Sequence, residues 1–104
     1  MAISNFLLGT TPANIYVSSG NTVVSTMYFC NTDTSARNFN VYLIPSAGNF
    51  TANTFTQIYK DVQLAANDTY VMDMEKLVLG PGDQLRANCT SAGAVTATVS
   101  YVGI

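Results

Sequence analysis

The sequence predicts an all-β fold: an antiparallel two-sheet β-sandwich, Ig-like or jelly-roll, of about seven to eight short strands. Three observations carry this expectation. Short runs rich in Val, Thr and Tyr recur along the 104 residues, and Gly, Pro, Asn and Asp break them. Within the runs, apolar and polar residues alternate, the period of a strand with one buried face. The breaks return at intervals of roughly 8–12 residues, the spacing of sandwich strands. At this length a chain forms one domain with a core of its own, so residues 1–104 are read as a single unit with residues 1–12 as an N-terminal arm.

Strands are expected at 14–18, 22–31, 37–45, 61–64, 69–75, 84–90 and 95–104. Ser18-Ser19-Gly20-Asn21, Ala65-Ala66-Asn67-Asp68 and Ser91-Ala92-Gly93 read as hairpin connections. Asn31-Thr32-Asp33 offers Asx turns, in which a short side chain caps the backbone two residues on. Gly80-Pro81-Gly82-Asp83 ends a strand, because Pro lacks an amide donor and Gly supplies positive φ. Phe39, Val41 and Leu43 form one apolar row, which Met27 and Phe29 join; Tyr70, Met72 and Met74 form another, and Val95, Ala97, Val99 and Tyr101 a third. Ala52, Phe55, Ile58, Tyr59 and Val62 fall at helical spacing, which suggests a turn of helix within 50–62.

Parity also separates the two cysteines. Cys89 shares a face with Leu85 and Ala87, whereas Cys30 lies opposite the Met27 and Phe29 row. Thiols on opposite faces do not meet the geometry of a disulfide, so two free thiols are favoured over a Cys30–Cys89 bridge. The glycosylation triplets at Asn49, Asn67 and Asn88 carry little weight in a chain this rich in Asn, Ser and Thr.

Composition narrows the chemistry. The chain has no His, four Lys or Arg and six Asp or Glu, for a net charge of −2. Without His there is no Ser/His or Cys/His pair, and two Cys alone make a poor zinc set. Asp73 and Glu75 share a strand face, as solvated acids commonly do. No catalytic, cofactor or metal residue is therefore assigned, and the chain is not expected to be an enzyme. So little positive charge argues against nucleic acid. No run approaches the roughly 18 apolar residues of a membrane span. The start has no basic leader, and its apolar stretch is only Phe6-Leu7-Leu8, against a signal peptide.

A hydrophobic fraction of 48% beside so few charges suits a chain that works in assemblies. If the strands at 22–31 and 37–45 were hairpin partners, Val24, Tyr28, Tyr42 and Ile44 would gather on the face opposite the core rows. Such a patch marks an interface, the alternative being cover by loops of the same chain. Arg37 is placed to pair locally with Asp33 or to contact a neighbouring subunit, and the aromatics Phe50, Phe55 and Tyr59 extend the candidate interface.

Ile15-Tyr16-Val17, Thr22-Val23-Val24-Ser25, Cys30-Asn31-Thr32-Asp33-Thr34-Ser35-Ala36-Arg37 and Val41-Tyr42-Leu43-Ile44-Pro45-Ser46 fall into one template. Val62-Gln63-Leu64-Ala65-Ala66-Asn67-Asp68-Thr69 and Leu79-Gly80-Pro81-Gly82-Asp83-Gln84-Leu85-Arg86-Ala87 continue it. Together they resemble the small all-β virion structural proteins of tailed bacteriophages. The motifs are structural: they mark turns and strand starts. The resemblance implies a non-enzymatic virion protein, foremost a capsid decoration (cement) protein on repeated sites of the particle. The alternatives are a tail, neck or fibre component, or a carbohydrate- or receptor-binding module in which Tyr16, Tyr28, Tyr42 and Tyr59 stack on sugars beside Asn38 and Asn40. Expected partners are other virion proteins and copies of itself as a homo-oligomer, with assembly in the host cytoplasm and residence in the virion.

Overall fold

The computed structural model describes residues 2–46, 52, 56–72 and 77–104. They form nine strands in two antiparallel sheets, with no helix among the described residues. The strands are β1 (Ala2–Leu7), β2 (Ala13–Val17), β3 (Thr22–Asn31), β4 (Arg37–Ile44), β5 (Gln57–Leu64), β6 (Thr69–Met72), β7 (Leu77–Leu79), β8 (Gln84–Cys89) and β9 (Val95–Gly103). One sheet runs β1-β9-β3-β6, with β7 also on β3, and the other runs β2-β8-β4-β5.

Because β6 and β7 both pair with β3, they act as one interrupted strand and the nine reduce to eight. First then pairs with last (β1 with β9), second with next to last (β2 with β8), third with the interrupted strand, and β4 with β5. Those nested antiparallel pairs are the wiring of a jelly roll.

The core lies between the sheets. Phe29 of β3 and Phe39 of β4 are fully buried and stack across the interior with centroids 4.3 Å apart. Tyr16 of β2 meets Tyr101 of β9 at 4.2 Å and also bridges the sheets. Met27, Val41, Leu85, Ala87, Val95, Ala97 and Val99 complete the rows that alternation predicted. Cys89 is buried, Cys30 half-buried, and both are free, as parity implied.

The connections differ from expectation. Ser18–Asn21, Ala65–Asp68 and Ser91–Gly93 carry the chain from one sheet to the other and close no hairpin. Turn-forming residues serve a corner as well as a hairpin, so composition could not separate the two. Residues 2–7 are an edge strand in continuous register with β9, not a free arm.

Two bulges explain the remaining misreadings. Between Val24 and Thr26 the register of β3 on β9 shifts, so Thr22 and Val24 face inward together with Met27, Phe29 and Asn31. In β5, Asp61 adopts φ 50 where the register on β4 shifts. Tyr59 before that point and Val62 and Leu64 after it pack on the core. An extra residue in a strand changes side-chain parity, and that change imitated helical spacing over 57–62. Most of the earlier part of that stretch, like Met74, Asp73 and Glu75, lies outside the described residues.

Candidate interaction face

The expected cluster of Val24, Tyr28, Tyr42 and Ile44 does not form. Residues 32–36 turn the chain across the sandwich, so β3 and β4 belong to opposite sheets. Val24 is fully buried in the core, inverted by the β3 bulge. Tyr42 and Ile44 are buried but belong to no part of the main core, in a strand bonded to β8 and β5. Tyr28 alone of the four is exposed, on the other sheet. Tyr59 is half-buried and meets Tyr70 edge-on with centroids 6.2 Å apart. Phe50 and Phe55 lie outside the described residues.

Arg37 takes the local option. Its Nη2 donates to Asp33 Oδ2 at 2.6 Å and its Nε to the same oxygen at 2.9 Å. This guanidinium, and then the Thr34 amide, hold the Asp33 carboxyl below its ordinary value. Asn31 anchors the same corner as an Asx turn: its Oδ1 accepts the Asp33 amide at 3.0 Å.

The two outer faces differ in chemistry. On the β2-β8-β4-β5 sheet the outer face carries charges and amides, several bonded to one another, beside Tyr42 and Ile44, and Val17 and Ile58 of its edge strands are exposed as well. Asn40 Nδ2 donates to Asn88 Oδ1 at 3.1 Å, and Asn40 Oδ1 accepts from Gln57 Nε2 and the Asp61 amide, each at 2.9 Å. Arg86 Nε donates to Asn14 Oδ1 at 2.8 Å.

The β1-β9-β3-β6 sheet carries no charged residue in any described strand, β7 included. Antiparallel register aligns its outward side chains in rows. Asn5, Thr98, Tyr28 and Val71 form one row; Leu7, Thr96, Cys30 and Thr69 form the next. Ile3, Ser100 and Thr26 lie to one side, and Val102, Val23 and Val78 at the end. Ile3, Leu7 and Val78 are 66%, 57% and 68% exposed, with Tyr28 and Val71 also open to solvent. A shallow depression of about 410 Å³ lies over Asn5, Phe6, Leu7, Thr96, Ala97 and Thr98.

Among the described residues this face presents hydroxyls, apolar side chains, the Asn5 amide and the Cys30 thiol, with no charge. The sequence signal for it was the absence of charge from particular strands, which means little until topology shows that those strands share a sheet. Among the described residues no group of acids, Cys or His is placed to hold a metal. Comparisons with protein-family models, with curated proteins and with solved structures give no match.

Proposed function

We propose that the protein is a non-enzymatic structural component of a tailed-phage particle, foremost a capsid decoration protein. It docks through the outer face of the β1-β9-β3-β6 sheet on a repeated protein surface. The observation that carries this reading is the partition of charge: the described strands of one sheet hold none, while their outer face exposes Ile3, Leu7, Tyr28, Val71 and Val78. Large exposed apolar patches on soluble domains mark association surfaces. Jelly rolls recur in capsid proteins, and also in lectins and cupins, so the fold supports the reading only by analogy.

The test is reconstitution. Purified protein is mixed with phage particles that lack it, then pelleting and resistance to heat are measured. Binding of the native chain, and its loss in a folded Tyr28→Asp/Val71→Asp variant, is the expected result. A native chain that neither binds nor stabilises the particles would sink the cement reading. A second reading rests on the exposed Tyr28 ring among the hydroxyls of Thr26, Thr96 and Thr98, which is also a surface for a sugar. Saturable binding on a glycan array, lost in Tyr28→Ala, would favour it.

A further inference from the structure

The sandwich has four sheet edges, and they are not treated alike. An edge strand presents unpaired backbone N–H and C=O groups, and folded proteins guard such edges with charges, bulges or very short strands. The β5 edge carries Lys60 and Asp61 and two register shifts. The β2 edge is bulged between Asn14 and Tyr16. At the β6 and β7 edge the strands are four and three residues long. β1 has none of these guards. Its six residues hold an unbroken register on β9, carry no charge and no Pro, and pair with no other strand among the described residues; the Ser4 hydroxyl, on the inner face, donates to the Ile15 carbonyl of β2. Ile3 and Leu7 stand exposed along it.

We propose that β1 pairs antiparallel with β1 of a second copy of this chain, joining the two uncharged sheets into one across a two-fold axis. Only an extended strand satisfies a free backbone edge, so the ligand is a strand. Charge favours a second copy as its source. Every charged side chain among the described residues lies on the other sheet or in a turn, so two chains of net charge −2 meet here without opposing like charges. Register agrees. With Asn5 opposite its own counterpart, Ile3 faces the partner's Leu7 on the outer face and Ser4 faces the partner's Phe6 on the inner one. Residues of equal parity meet, so each face continues across the junction. A six-residue strand pair is a small interface, so the dimer is weak and depends on concentration. This inference does not rest on placing the protein in a particle.

Sedimentation velocity of the full chain over a concentration series up to millimolar is the test. The native chain should shift from monomer to twice the monomer mass. Ile3→Lys/Leu7→Lys should stay monomeric with unchanged circular dichroism, and Ile3→Lys/Leu7→Glu should dimerise again, because position 3 of one copy faces position 7 of the other. Asn5→Cys, oxidised and run without reductant, should give a covalent dimer that neither the native chain nor Asn14→Cys on the β2 edge gives. A native chain monomeric throughout, a dimer that survives paired lysines, or an Asn5→Cys chain that does not cross-link would each overturn the proposal. If the double-lysine chain fails to fold, the Asn5→Cys cross-link decides.

Discussion

Asn31→Ala should destabilise the protein far more than its polar side chain would suggest. Asn31 ends β3 on its inward face, is fully buried, and ties three pieces of chain together. Its Nδ2 donates to the carbonyls of Ser35 at 2.9 Å, Ala65 at 3.1 Å and Leu64 at 3.3 Å, and its Oδ1 accepts the Asp33 amide. It therefore holds the β3–β4 corner against the β5–β6 corner. Two amide hydrogens serve three acceptors, so the contacts are worth fewer than four full bonds. Alanine deletes these bonds at a fully buried position while the Ala65 carbonyl keeps the Asp68 amide, and at about 1–3 kcal/mol for each group left short of a partner the cost is near 3 kcal/mol. A domain this size has roughly 5–15 kcal/mol in hand. The melting temperature should fall by about 12–24 °C at the usual 4–8 °C per kcal/mol. Asn31→Asp is the sharper comparison: it keeps the shape, loses both donors and sets a charge among carbonyls, so at neutral pH it should be at least as damaging. Urea unfolding followed by circular dichroism measures both. A loss below about 1 kcal/mol for Asn31→Ala would mean the corner holds without its amide.

Phe39→Ala removes the ring stacked on Phe29 and near Tyr70 and should cost about 3–5 kcal/mol in the same unfolding assay, against about 1 kcal/mol for Asn40→Ala on the outer amide ladder. Gly82→Ala should lower the melting temperature, because φ is +83° and the new Cβ would lie 2.9 Å from Ser46 Cβ; an unchanged transition would refute the turn geometry. The amides of Ser46 and Gly80 hold the Asp83 carboxyl below its ordinary value, and Arg37 does the same for Asp33. A depressed folded value stabilises above the unfolded value and is lost as pH falls through the folded one, so stability should decline below about pH 4, less steeply in Asp83→Asn. Alkylation of the native protein should label Cys30 faster than buried Cys89, read by mass spectrometry.

Where side-chain parity runs unbroken, the sequence was sufficient. β8 and β9 alternate without fault, and their inward rows were legible residue by residue. The Asp33–Arg37 pair and the Asx turn at Asn31 were legible as well, because each is set by a few consecutive residues. The failures share one physical cause. Alternation alone puts Val24 on the wrong face, and the part of the 50–62 helical spacing that falls on Ile58, Tyr59 and Val62 belongs to a bulged strand, because a bulge is a backbone event with no residue type of its own. β1 escaped because its pattern is polar and apolar on both faces, as an edge exposed nearly throughout permits. Ser18–Asn21 and its like were read as hairpins because corner and hairpin draw on the same residues. The predicted interface fell with them, since it depended on β3 and β4 being partners. Tyr28 survives because its exposure required only local alternation.

The placement of acids connects the fold to the proposed role. Four carboxylates lie among the described residues, and three of them, Asp33, Asp68 and Asp83, stand where the chain passes between sheets. Each accepts backbone amides: Thr34 at 2.7 Å for Asp33, Thr69 at 2.8 Å for Asp68, and Ser46 and Gly80 for Asp83. The fourth, Asp61, marks the bulge on a guarded edge. A jelly roll crosses between its sheets repeatedly, and every crossing exposes backbone donors that a short acid can satisfy. The described strands of the β1-β9-β3-β6 sheet can be covered without burying a charge, which would be expensive, because they hold none. Among the described residues charge is confined to corners and to the opposite sheet, so that this face can lie against a neutral surface chiefly at the expense of hydration around hydroxyls, the Asn5 amide and apolar side chains. Charge introduced on that face, as in Tyr28→Asp/Val71→Asp, should therefore act on docking and leave the corners, and with them the fold, intact.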